Sequence, residues 1–354
     1  MCPAIIAWQG AVSHHGRERG RGVSVNRSSK TLLAALIRPI AGDAWDAHVP
    51  CRLAKWLLAA EAMTESDEGG LTDRKFYPAD EEAQFAKQAP QTPQTRHPAY
   101  KLAFRDTDFL LREELRPVRF QLELLKTEML LEEAGVGSTL VMYGSARIPP
   151  PEAVDTAING AKELPESERI VVERLAHKAK YYGEAYKLAR MVSEKSIIER
   201  GQRQFVICSG GGPSIMEAAN KGASDAGAES IGLNIVLPHE QAPNPYVTPY
   251  LSFQFHYFAL RKMHFLLRAK AVAVFPGGFG TFDEFFELLT LIQTGKLKPI
   301  PILLFGKEFW ERVVNWGALV EEGVIGARDL DLITWCETAE DAWRHIAGFY
   351  ELEG

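Results

Sequence analysis

Residues 275–289 read FPGGFGTFDEFFELL. Gly277, Gly278 and Gly280 fall within four positions, directly after the apolar stretch KAVAVF. Such a cluster costs conformational entropy. A strand-to-helix turn can require it, and so can a ligand that must lie against bare backbone. If the turn opens the helix FDEFFELLTLI, free N–H groups and the helix dipole face the loop, which suits a phosphate. Thr281 can add a hydroxyl donor. The structural alternative is a capping box in TFDE, with Thr281 as N-cap and Glu284 at N3. The spacing and ending of a P-loop are both missing.

Two further glycine-bearing loops follow apolar runs. SGGGPSIMEAANKGA (209–223) places Gly210, Gly211 and Gly212 before a helical pattern. Ile215 stands where a dinucleotide fingerprint needs its third glycine, so that signature fails. YGSARI (143–148) offers Gly144, Ser145 and Arg147. Upstream of the first loop, HYFALRKMHFLLRAKA (256–271) is an amphipathic helix carrying Arg261, Lys262 and Arg268. His256 and His264 lack metal-ligand spacing, and no metal site is expected.

Elements that would position these groups follow from periodicity. The strand candidates are STLVMYG, QFVICSGG, SIGLNIVL, YLSFQFH, AVAVFPGG, IPILLFG and LITWCE. Each is short and apolar, as strands buried on both faces are. Helical stretches are expected at 169–199, 213–226, 257–269, 282–294 and 307–320. The alternation predicts an α/β fold: a Rossmann-like parallel sheet with helices on both faces and ligands at the strands' carboxyl ends. Residues 106–133 predict two leading helices broken near Pro117, with Leu110, Leu111, Leu115, Phe120, Leu122 and Leu125 on their apolar faces. Residues 1–97 form a poorly organised extension, with short helical candidates in TLLAALI and RLAKWLLAAEAM. Residues 98–354 form the main domain.

The chain has 354 residues and a net charge of −6, which gives no general attraction to nucleic acid or anionic membrane. No apolar run is long enough to span a bilayer. Cys2, Cys51, Cys208 and Cys336 are widely spaced, which suits a reducing, cytoplasmic setting without disulfides. Residues 1–40 hold five arginines and a single acid, Glu18, a composition shared by transit peptides and by disordered extensions.

Taken together, PGGFGTFDE, ALRKMHF, GSARI, SGGGPSIMEAANKGA and GLNIVLPHEQAPNPY resemble the LOG ("lonely guy") family over roughly residues 98–354. These proteins are cytokinin riboside 5′-monophosphate phosphoribohydrolases, long described as lysine decarboxylases; the likeness is to the larger bacterial members. The resemblance implies hydrolysis of the N-glycosidic bond of a nucleoside 5′-monophosphate, AMP or a cytokinin nucleotide, to free base and ribose 5-phosphate. It implies no cofactor and a homodimer or higher assembly. Carried over by motif, Arg261 and Glu284 are the catalytic pair, and Gly277, Gly278, Gly280 and Thr281 hold the phosphate. Ser145, Gly211, Gly212, Met216 and Lys262 line the nucleotide pocket. The departure GGGPSIM, where small members carry a GGGxxGLMG-like loop, bears on base specificity. Two other readings of the same motifs are a non-catalytic nucleotide-binding or carrier protein, and a decarboxylase with pyridoxal phosphate on Lys262. The apolar residues Phe285, Phe286, Leu288, Leu289 and Ile292 exceed what one side of a sheet needs, and point to a subunit contact.

Overall fold

Seven apolar segments lie side by side as parallel strands: β1 (Thr139–Tyr143), β2 (Val206–Ser209), β3 (Ser230–Ile235), β4 (Ser252–Phe255), β5 (Ala269–Val274), β6 (Ile302–Phe305) and β7 (Thr334–Cys336). Their order is β4-β3-β2-β1-β5-β6-β7, and every pairing is parallel. All seven expected strands are present. The computed structural model describes residues 76–195, 197–238 and 242–352. The chain divides into two compact units, 1–95 and 96–354, and the sheet belongs to the second. The described part of the first unit contains a helix, Ala79–Lys87. The helical candidates TLLAALI and RLAKWLLAAEAM lie outside the described residues.

All five residues of β1 are buried, because both faces of the sheet are covered. Leu140 and Met142 face one layer, made by α2 (Ala179–Glu194), α3 (Ile215–Asp225) and α8 (Ala339–Tyr350). Val141 and Tyr143 face the other, made by α1 (Arg116–Glu133), α4 (Phe258–Leu267), α5 (Phe279–Gln293) and α6 (Lys307–Val313). Alternation along a strand sends neighbours to opposite faces, so continuous apolar runs were required. The strand order reverses direction between β1 and β5. Such a switch point leaves a crevice at the carboxyl ends, and the loops after β1 and β5 meet there.

Several boundaries differ from expectation. The stretch 169–199 is two helices, Glu166–Ala176 and α2, separated at His177 and Lys178. No glycine or proline marks that break. The stretch 307–320 is also two helices, α6 and α7 (Trp316–Glu321), with Asn315 capping the second through its side chain. Pro117 does not break a helix but sits in the first turn of α1, where its missing N–H costs nothing. Of the apolar residues assigned to these leading helices, Leu111, Leu122 and Leu125 are exposed, while Phe120 packs on Tyr257. On α5, Phe282 and Phe285 lie against Trp310, and Phe286 stacks on Trp316.

Two glycines inside helices have opposite meanings. A Cβ on Gly222 of α3 would collide with the Tyr186 carbonyl of α2 and come within 3.0 Å of the Arg190 nitrogen, so the glycine sets how closely the two helices approach. Gly183 of α2 has open space where a Cβ would be. Gly222→Ala is therefore expected to destabilise the fold by about 1–3 kcal/mol, and Gly183→Ala to stabilise it by up to about 1 kcal/mol. Urea unfolding of the two variants beside the parent chain checks both signs.

Candidate active site

The glycine loop between β5 and α5 opens the helix three residues earlier than the capping-box reading requires. The N-cap is Gly278, without a side-chain cap, and the helix starts at Phe279. The first intrahelical donor is Phe282, whose N–H reaches the Gly278 carbonyl at 3.0 Å. The amides of Phe279, Gly280 and Thr281 thus precede the helix's own ladder and face its mouth. Thr281 is not a cap. Its side chain is buried beneath Gly277, which has no room for a Cβ there. Gly278 and Gly280 differ: neither has a positive φ, and each has open space where a Cβ would sit. Packing within the chain requires glycine at Gly277 but not at Gly278 or Gly280.

Glu284 lies in the second turn of α5, and its carboxylate turns to Arg261 of α4. Arg261 Nη1 is 2.9 Å from Glu284 Oε1, with 11% and 12% of the two side chains exposed. The same guanidinium donates through Nε to the Leu233 carbonyl of β3 at 2.6 Å and lies over the Phe265 ring. Burial pushes the Glu284 carboxyl up to about 7, outweighing the opposite pull of Arg261; the neighbouring Asp283 adds to the rise. A folded value above the ordinary 4.5 fixes the sign of the linkage. This group's contribution to stability is complete below about 4.5 and is lost as pH rises through about 7. A carboxyl held ready to exchange protons at neutrality, beside a fixed cation, is suited to acid–base work.

The other site residues converge on this pair from neighbouring loops. Ser145 donates its N–H to the Pro276 carbonyl at 3.1 Å, tying the loop after β1 to the loop after β5, and its Oγ accepts from the Arg147 N–H at 3.0 Å. A Cβ on Gly210 would fall 2.6 Å from Arg261 Nη2 and 2.7 Å from Met216 Sδ, so Gly210, Met216 and Arg261 form one wall. Gly211 has φ +72° and its missing Cβ makes room for the Asn234 carboxamide. Lys262 is committed to α5: its Nζ is 3.0 Å from Asp283 and 3.2 Å from Glu287. Burial opposes its charge, but hydrogen bonds to those two acids outweigh this and raise its pKa. Imine formation needs the reverse, a lysine that loses its proton easily. His264 is buried against Glu128 at 3.3 Å, between α1 and α4, away from these loops.

Sequence reasoning missed what holds the triple-glycine loop. Ser209 Oγ donates to Asn220 Oδ1 at 2.7 Å and accepts from the Gly211 N–H at 3.0 Å. Asn244 Nδ2 donates to the Gly211 and Gly212 carbonyls at 3.2 and 3.0 Å, and to Asn220 Oδ1 at 2.9 Å. Asn220 in turn donates to Ser230 Oγ at 3.0 Å. All four side chains are buried. Ser209 and Ser230 stand out only as polar residues at the ends of apolar runs, and Asn220 and Asn244 carry no such signal. Ser214 was also missed: it adopts φ 66° and ψ −123°, and donates its hydroxyl to the Ile148 carbonyl at 2.6 Å. Non-glycine residues rarely adopt that backbone, and strain of this kind clusters at functional sites.

Residues 216–346 match the model of a protein family described as "Possible lysine decarboxylase". The match includes Met216, Arg261, Lys262 and the loop through Glu284, and begins after Ser145, Gly211 and Gly212. A 65-residue stretch, 18% of this chain, is 38% identical to the "Bifunctional cytokinin biosynthesis protein" of Fusarium pseudograminearum (strain CS3096), and spans 13% of that protein's length. Among solved structures, the molybdenum cofactor binding protein of Rippkaea orientalis aligns with a TM-score of 0.35 at 16% identity, over 59% of this chain and 94% of that one. The molybdenum cofactor carrier protein of Chlamydomonas reinhardtii aligns with a TM-score of 0.34 at 18% identity, over 49% and 89%. Scores at this level do not bear on what this chain does. Over residues 216–346 the chain is similar to the family described as possible lysine decarboxylase, and this stretch carries most of the motifs that resemble the LOG family.

Proposed function

We propose that this protein hydrolyses the N-glycosidic bond of nucleoside 5′-monophosphates, releasing free base and ribose 5-phosphate. The observation that carries this reading is the buried Arg261–Glu284 pair, 2.9 Å apart, whose carboxylate stands on the helix that opens with a glycine-lined mouth of free amides. The phosphate rests on the amides of Phe279, Gly280 and Thr281, in the space left by Gly278 and Gly280. That anchors the ribose beside Glu284. Breaking the C1′–N bond leaves its electron pair on the base and positive charge on the sugar. A carboxylate near C1′ stabilises that charge and accepts a proton from the water that adds to C1′. The departing base takes up a proton, so the balance is one nucleotide and one water consumed. Arg261, fixed to the Leu233 carbonyl, sets the position of the carboxylate. Ser145 and Met216 line the nucleotide's path, and Lys262 steadies the start of α5 through Asp283.

Three outcomes test the reading. In the first, purified protein is incubated with a panel of nucleoside monophosphates and released base is measured. Turnover is expected, and Glu284→Gln should lower kcat by roughly 100-fold or more while the fold persists. Binding without turnover in the parent chain would favour a carrier instead. In the second, the ionised carboxylate is the active form, so kcat/KM should rise with pH through about 7 and level off above it. A profile with no inflection in that range would remove Glu284 from the reaction. The third concerns the phosphate. Charged hydrogen bonds contribute about 1.5–3 kcal/mol each, and part of that energy goes into positioning C1′. AMP should exceed adenosine in kcat/KM by roughly 1000-fold. Gly278→Leu should erase most of that preference without unfolding the protein, since nothing lies within 4 Å of the added Cβ. Equal cleavage of AMP and adenosine would leave the loop as a turn only.

A further inference from the structure

Helix α1 lies outside the stretch matched by the family model, and none of its residues takes part in the reaction just described. Its Glu123 nevertheless carries an unusual load. Glu123 Oε2 accepts from the His256 N–H and Oε1 from the Tyr257 N–H, each at 3.0 Å. Tyr257 is the N-cap of α4, and its own side chain caps nothing. The helix therefore takes its cap from α1, 134 residues away in the chain. A carboxylate at a helix start is favoured by the dipole, and a two-oxygen grip on adjacent N–H groups fixes direction as well as distance. His256 is exposed, so water could satisfy its N–H equally well. What the carboxylate adds there is position.

Tyr257 passes that position on to Arg261. The Tyr257 carbonyl accepts the Arg261 N–H at 3.1 Å, one turn into α4. The Tyr257 ring packs on Phe120 of α1, with centroids 3.9 Å apart. At the other end of α4, the C-cap Arg268 donates to Glu128 of α1 at 3.1 Å. Helix α1 thus grips α4 at both ends. The backbone of Arg261 is set from α1, while its guanidinium is directed by the Leu233 carbonyl of β3. The contact with Glu284 requires both settings at once.

We infer that Glu123 is a positioning residue, which holds the start of α4 and thereby sets the reach of the Arg261 guanidinium to Glu284. This rests on the phosphoribohydrolase reading for its effect on turnover, and extends the site to a helix outside the family-matched stretch. Around Glu284 stand Arg261 and Lys262 of α4, Asp283 beside it, Tyr143 of β1 and Cys208 of β2. Only the two cations of α4 move when the start of that helix is released. Their attraction lowers the Glu284 carboxyl, so weakening it sends the titration upward.

The test compares Glu123→Ala and Glu123→Gln with the parent chain. With AMP, Glu123→Ala should lose about 10-fold or more in kcat with KM within about twofold, because the amides at the mouth of α5 are untouched. The midpoint of the pH profile should move up. Glu123→Gln keeps one carbonyl acceptor and should fall between. A second readout needs no turnover: the Glu284 carboxyl carbon, titrated by NMR without substrate, should show a higher midpoint in the variants. An unchanged midpoint would overturn the assignment, as would a loss of kcat no larger than the loss of folded protein at the assay temperature. Should Glu123→Ala fail to fold, Glu123→Gln decides by the same two readouts. If the parent chain releases no base from AMP, the phosphoribohydrolase reading fails, and the titration still decides whether Glu123 positions Arg261.

Discussion

The site depends on a charged pair kept out of water. Removing a carboxylate and a guanidinium from solvent costs several kcal/mol per ion, and their attraction repays this only with good geometry and further hydrogen bonds. Here the repayment is incomplete. The rise of the Glu284 carboxyl to about 7 records that burial outweighs Arg261. The arginine, in contrast, is fully engaged, with Glu284 on one side, the Leu233 carbonyl on another and the Phe265 ring beneath. A rigid cation beside a carboxyl poised between its two states is an arrangement that stability alone would not select.

Much of the surrounding structure serves to hold that geometry. Arg261 comes from α4, Glu284 from α5 and the carbonyl from β3, so the pair links three elements that only the sheet brings together. The loop of Gly210–Gly212 closes on the arginine from above, and a buried chain of Ser209, Asn220, Asn244 and Ser230 fixes it. A glycine loop left to itself would sample many conformations. A saturated polar network, shielded from water, gives it one.

The fold was legible because strands buried on both faces must be short continuous apolar runs, and all seven were. The site was legible to the extent that its chemistry is local. PGGFGT and Glu284 fall within nine residues, and Arg261 lies one element upstream. The capping-box alternative failed because a cap depends on where the backbone becomes helical, and TFDE fits that pattern wherever the helix starts. The break at His177 and Lys178 was invisible because no glycine or proline makes it. Trp310 and Trp316, more than twenty residues downstream, lie against Phe285 and Phe286 of α5, and such coverage is tertiary information that counting apolar residues does not give.

The glycines that opened the sequence question turn out to be there for different physical reasons. Gly277 lacks a side chain because Thr281 occupies the space, and Gly211 because Asn234 does, with a positive φ in addition. These two are explained by the fold. Gly278 and Gly280 are explained by neither packing nor backbone conformation. At Gly280, within the first turn of the helix, glycine is less favourable than alanine by up to about 1 kcal/mol, a cost without return in the protein alone, whereas at the N-cap Gly278 glycine is tolerated well. The return lies in what the missing side chains leave uncovered: three amides at a helix start, on the same helix as a carboxyl that burial has made ready to exchange a proton. Folding and packing account for one pair of glycines, and the other pair leaves open the space in which the proposed phosphate would rest.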